Sequence, residues 1–189
     1  DQLLLLLVER SRIASLSYFA ANADYSFLAA EAAGIPPNRG QAEEVLAHAP
    51  DLVLTSAFSA TLAAALLERL GQRVERLGFA NSLADIYVQL RQVGQVTGTA
   101  VAAEAQVAAL GAAVARDTAL LRPLVAGKSA VFFSANGFTY GAGTLQHDFM
   151  ASVGLRNIAA DAGLTGPAPL NLELLVAAKP DFVFTDQRS

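Results

Sequence analysis

The chain has 189 residues, 53% hydrophobic and 16% charged, with 13 Lys and Arg against 17 Asp and Glu for a net charge of −4. That is enough apolar material for one domain or two small lobes, and it contains no basic run that would serve nucleic acid. The lack of cysteine excludes disulfides, thiolate zinc sites and a Cys nucleophile.

The opening run "LLLLLV" is much shorter than the ~20 apolar residues that span a bilayer. It also lacks the basic region of a signal peptide. It reads as the first buried segment of a mature chain, any signal having been removed. "RIASLSYF" over 12–19 predicts a buried strand ending in an aromatic loop. Ser26 caps a predicted helix over 27–33, closed by Gly34. "IPPNRG" reads as a turn, and 41–48 as a short helix stopped by Pro50. "DLVLTS" is a core strand, 60–70 a helix closed by Gly71, and "RVERLG" a half-buried strand.

The middle of the chain changes character. Ser82 and Asp85 resemble a capping box at the head of a helix over 82–96. Gly94 and Gly98 mark a break, and a second helix covers 99–121. At ~1.5 Å per residue that helix is roughly 34 Å long, and Pro123 is expected to end it. Then strand–helix alternation resumes. "SAVFFSA" is a strand, "NGFTYGAG" a loop, 144–153 a helix closed by Gly154, 170–178 a helix and 181–185 a strand.

Such alternation predicts parallel sheets covered by helices, an α/β class. The chain divides into an N-terminal lobe (1–81), a helical connection (82–122) containing the long linking helix, and a C-terminal lobe (123–189). A repeat ties the lobes together. "EEVLAHAPDLVLTS" begins at Glu43, and "ELLVAAKPDFVFTD" begins 130 positions later at Glu173. Each copy reads as helix, Pro-Asp turn and core strand.

These stretches, with "LLERLGQRVERLGFANSLADIYVQLRQVGQVTG" and "GAGTLQHDFMASVGLRNIAAD", resemble the substrate-binding proteins of ABC importers for iron chelates and cobalamin. The likeness covers nearly the whole chain. It implies two Rossmann-like lobes joined by one rigid helix, with the ligand taken in the cleft between lobes. It also implies a periplasmic, monomeric protein that delivers an iron–siderophore, haem or corrinoid to an inner-membrane permease. Proteins of this type continue past the second "PDFVFTD" with further strand and helix, so the second lobe is expected to be truncated.

In open parallel sheets, ligands bind beyond the carboxyl ends of the strands. Those ends supply Tyr18, Phe19, Ser56, Phe58, Asn81, Asn136, Phe138, Tyr140, Asp186 and Arg188 as ligand-binding candidates. The set is aromatic and hydrogen-bonding with few charges, which suits a bulky metal chelate or tetrapyrrole. Tyr18 and Tyr140 could donate a phenolate to iron, or serve as ordinary loop-to-core aromatics. No bare-metal site and no resident cofactor is assigned, because His48 and His147 lack a ligand frame. Glu43 and Glu173 hold equivalent places in the repeat. The resemblance implies that they dock to permease arginines, with Glu44 a competitor in the first lobe; alternatively they complement their helix N-termini. No catalytic motif is visible. Two other readings stay open. One is a doubly wound enzyme using Gly141 and Gly143 for a nucleotide or metal cofactor. The other is a bare-metal binder.

Overall fold

The computed structural model describes residues 1–57, 61–134 and 136–185. Phe58, Asp186 and Arg188 lie outside these residues. The chain forms two compact units: Asp1–Phe79 with Val88–Ala108, and Ala80–Tyr87 with Ala109–Ser189. The helical connection expected over 82–122 is shared between them: residues 88–108 go with the first unit, and 82–87 and 109–122, with residues 80–81, go with the second.

The first unit runs through α1 (Gln2–Leu7), β1 (Leu16–Ser17), α2 (Ala29–Ala32), β2 (Pro37–Asn38), α3 (Ala42–Ala47), β3 (Val53–Ser56), α4 (Thr61–Arg69) and β4 (Val74–Leu77). Its strands form two parallel pairs, β1 with β2 and β3 with β4. The opening leucine run is helical and only Leu7 in it is fully buried. The expected strand over 12–19 shrinks to two residues, and the expected turn "IPPNRG" holds its partner. The reason is chemical: Pro36 and Pro37 have no N–H, so this ladder rests on Leu16 N to Pro36 O (3.1 Å) and Tyr18 N to Asn38 O (2.9 Å). Ser26 Oγ accepts from Leu28 N at 3.2 Å, and the helix begins only at Ala29.

Two helices follow, α5 (Leu83–Thr97) and α6 (Ala100–Val125), the second of 26 residues. They cross closely within the first unit. A Cβ on Gly94 would stand 2.4 Å from the Ala103 Cβ, so only glycine fits. Arg91 and Glu104 pair across the two helices at 2.7 Å. This hydrogen-bonded pairing lowers the Glu104 pKa and raises that of Arg91. Pro123 does not end α6. A proline one turn from the end removes one N–H bond, and Ala119, whose carbonyl loses it, is exposed to water.

The second unit contains β5 (Ser129–Phe132), β6 (Phe138–Tyr140), α7 (Leu145–Ser152), β7 (Arg156–Asn157), α8 (Ile158–Asp161), β8 (Pro167–Pro169), α9 (Leu172–Ala178) and β9 (Phe182–Phe184). A parallel sheet has the order β7-β5-β9, and β6 pairs with β8 antiparallel. The segment expected as a loop over 136–143 thus contains a strand. Val131, Ile158, Ala159 and Leu170 form this unit's core. The architecture is α/β with small parallel sheets and one long helix, as the alternation predicts.

Candidate functional site

In the first unit, the chain leaving β1 builds an aromatic cluster. Tyr18 and Phe19 have ring centroids 3.9 Å apart, and Phe19 and Tyr25 are 4.9 Å apart. All three are about half exposed, and Phe27 beyond them is fully so. A recess of about 190 Å³ beside Phe19 and Tyr25 is too small for a chelate. A larger one, about 660 Å³, lies at the start of α6 among Leu7, Glu9 and Arg12, before β1 begins. None of the strand-end candidates lines it. Ser56 closes β3 and is exposed.

In the second unit the aromatic groups sit on the strand ends themselves. Phe132 and Phe184 are register partners that finish β5 and β9, with rings 5.0 Å apart. Tyr140 finishes β6 and meets Phe132 edge-on at 6.0 Å and 86°. Phe138 is exposed on the same strand. Asn136 spends its carbonyl oxygen locally, accepting from Ser134 Oγ at 2.6 Å and from Phe138 N at 3.3 Å. Asn81 donates its backbone N–H to Asp85 at 2.9 Å, ahead of α5. The candidates therefore divide into Tyr18, Phe19 and Ser56 in one unit, and Asn81, Asn136, Phe138 and Tyr140 in the other. Tyr25, Phe27, Phe132 and Phe184 add to these aromatic groups, although none lies in a loop directly after a predicted strand. The signal was present as aromatic residues at the final strand position and at 25 and 27.

Gly141 and Gly143 have structural explanations. A Cβ on Gly141 would meet the Leu164 carbonyl oxygen at 2.1 Å, and Gly143 has φ +73°. Thr144 then caps α7, its Oγ1 accepting from His147 N at 3.2 Å. Among the described residues no group of three or more His, Asp or Glu side chains could hold a metal ion. No described helix is long and apolar enough to cross a membrane.

The two repeat glutamates are exposed in the first turns of α3 and α9. Glu44 is engaged, its carboxylate accepting from Arg39 N at 2.6 Å.

A family profile described as periplasmic binding protein matches residues 20–189. The chain belongs to that family. No curated protein matches it. Solved periplasmic binding proteins share its fold. The apo form of the haem-binding protein RhuT from Roseiflexus is 22% identical with a TM-score of 0.81, over 97% of this chain and 71% of that one. The vitamin B12-binding protein BtuF of Vibrio cholerae is 16% identical at 0.72, over 98% and 72%. A possible iron-binding solute-binding protein of Staphylococcus epidermidis is 18% identical at 0.75, over 84% and 64%. At these identities the likeness concerns the fold. This periplasmic binding protein chain spans 64% to 72% of the length of those three structures.

Proposed function

We propose that this periplasmic binding protein is the solute-binding component of an ABC importer and takes a metal chelate: an iron–siderophore, haem or corrinoid. It is a binder, not an enzyme, and works outside the cytoplasm as a monomer. The observation that carries the reading is the chemistry of the strand ends. Both units present aromatic rings and neutral hydrogen-bonding groups there, matched to a large ligand with π surface and few exposed charges. The haem-binding and vitamin B12-binding proteins among the fold's relatives support the same class. The nucleotide-enzyme alternative loses its best feature, since both glycines of "GAG" answer to backbone geometry. Equilibrium titration with ferric haem, cobalamin and a ferric siderophore, followed by absorption, tests the proposal. One of the three is expected to bind tightly; binding of none would overturn it. Tyr18→Ala and Tyr140→Ala are expected to weaken whichever binds.

Delivery would use Glu43 and Glu173 as two fixed carboxylates read by permease cations. Glu43 is preferred over Glu44 because Glu44 is already committed to the Arg39 amide. Exposed charges of this kind set register and encounter rate more than affinity. The Glu43→Arg/Glu173→Arg double variant should bind its chelate normally and lose permease association. Unchanged uptake would remove the docking role.

A further inference from the structure

Tyr140 ends β6 at a position that turns its carbonyl away from β8. The bonds from Leu170 N to Gly137 O and from Gly141 N to Gly166 O set the hydrogen-bonded positions of this antiparallel pair, so Phe138 and Tyr140, opposite Pro169 and Pro167, direct their carbonyls to the other side. Both carbonyls take donors from elsewhere. Phe138 O accepts from Ser134 N and Ser134 Oγ, each at 3.0 Å. Tyr140 O accepts from Asn157 Nδ2 at 2.8 Å. Asn157 is only 3% exposed, and its Oδ1 caps α8 by accepting from Ala159 N at 3.0 Å.

Those two bonds fix the orientation of the amide. The Ala159 N–H can only donate and the Tyr140 carbonyl can only accept. A flipped amide would set donor against donor at one end and acceptor against acceptor at the other. Nδ2 is therefore the atom that faces His147 Nδ1 at 3.4 Å. A donor in that place calls for a lone pair on Nδ1, which puts the proton of the neutral ring on Nε2. The turn after Tyr140 is tied from the other side as well. Thr144 Oγ1 donates to Gly141 O at 2.7 Å and accepts from His147 N.

The geometry points to Asn157 as a positioning residue for Tyr140, and to His147 as a hydrogen-bond donor through Nε2 whose Nδ1 is closed to metal. The first half rests on the reading of Tyr140 as a ligand-lining side chain. The buried amide takes the place of a neighbouring strand at the last residue of β6. It fixes the backbone from which the Tyr140 ring reaches its edge contact with Phe132. The sequence gives no hint of this, because a lone Asn before a short helix reads only as a cap.

The test uses the full chain labelled uniformly with ¹³C and ¹⁵N, at about pH 8 where a histidine is normally neutral. The wild-type spectrum is expected to show His147 protonated on Nε2, and this arm needs no variant. Asn157→Asp keeps the acceptor for Ala159 but turns a carboxylate oxygen toward Tyr140 O and His147. It should move the His147 proton to Nδ1 and shift the Tyr140 carbonyl and Gly141 amide signals. In a ferric haem titration Asn157→Asp should weaken binding about three- to tenfold. The double variant with Tyr140→Ala should be no weaker than Tyr140→Ala alone. A wild-type His147 protonated on Nδ1 would overturn the tautomer assignment. Unmoved Tyr140 and Gly141 signals in Asn157→Asp, or additive losses of affinity, would overturn the positioning role. If the wild type binds no chelate, the functional proposal falls, and the spectra alone decide whether Asn157 holds Tyr140.

Discussion

The two copies of the repeated unit, α3–β3 and α9–β9, share a backbone but not an environment. Each helix is followed by a residue in the left-handed region, Ala49 at φ 45° and Lys179 at φ 44°, the only non-glycine residues with positive φ among those described. Pro-Asp follows in each copy, and then the strand. Burial separates them. Ala42 is 3% exposed, whereas its counterpart Leu172 is 60% exposed. Val45 joins Ala42 in a cluster with Leu67 of α4, with Val53 and Val74 packed against it. In the second copy Leu174 and Leu175 pack against the core around Val131, while Val176, Val183 and Phe184 remain exposed. One motif thus specifies one local fold, and its neighbours decide how much of it leaves water.

Exchanging residues at matched positions should separate the two copies most strongly. Ala42→Leu places three extra carbons in a closed cluster and should destabilise by about 1–3 kcal/mol. Leu172→Ala removes the same group from an exposed site and should change stability by less than about 0.5 kcal/mol. Urea unfolding midpoints read both; equal costs would show that the second copy is covered in solution. Capping comes next in size. Asn171 Oδ1 accepts from Glu173 N at 2.8 Å, whereas Gln41 makes no side-chain cap bond. Asn171→Ala should cost about 1 kcal/mol and Gln41→Asn should return a similar amount to the first copy. A cost-free Asn171→Ala would mean that α9 draws nothing from its cap.

Much of this was legible in the sequence for reasons the structure makes plain. Periodicity and Pro-Asp punctuation located α3, β3, α9 and β9 to within a residue or two, because those signals are local. The strand β6 was hidden, since its partner "PAP" carries two prolines and looks like a linker. Pro123 misled in the other direction: at an exposed last turn its cost is small, so α6 runs on. For the proposed ligand surface, the sequence pointed to Tyr18, Phe19, Phe138 and Tyr140 as aromatic residues around strand ends. It did not show that Asn136 would engage its carbonyl oxygen within its own loop, nor that Asn157 would bond the Tyr140 carbonyl. The first depends on the turn the loop adopts, and the second on a contact between separate segments that no single-chain pattern records.

The turn aspartates give a third, smaller contrast. Asp181 accepts from Ser129 N at 2.7 Å and Ser129 Oγ at 2.8 Å, joining β9 to the start of β5. These bonds, the backbone one first, lower its pKa. The carboxylate of Asp51, its counterpart, has no hydrogen-bond partner among the described residues. A lowered carboxyl pKa contributes stability above the unfolded value near 4 and loses it as pH falls through the folded value. Asp181→Asn should therefore lower the urea midpoint at neutral pH, with the difference from wild type closing in acid. Asp51→Asn should have less effect at neutral pH. A pH-independent loss in Asp181→Asn would mean that the side chain acts by shape rather than charge.

The smallest effect tests what the copies have in common. A left-handed residue other than glycine costs about 1–2 kcal/mol, and glycine raises the entropy lost on folding by about 0.4–1 kcal/mol. Ala49→Gly and Lys179→Gly should each stabilise by about 0.8 kcal/mol, the difference between the midpoints of those terms. The gain should be alike in both, although one helix is packed and the other largely exposed, because the strain belongs to the shared turn. Thermal midpoints of the two single variants and the double decide it. A gain at one position only would tie the strain to that copy's surroundings, and the two turns would then be alike in φ without being alike in energy.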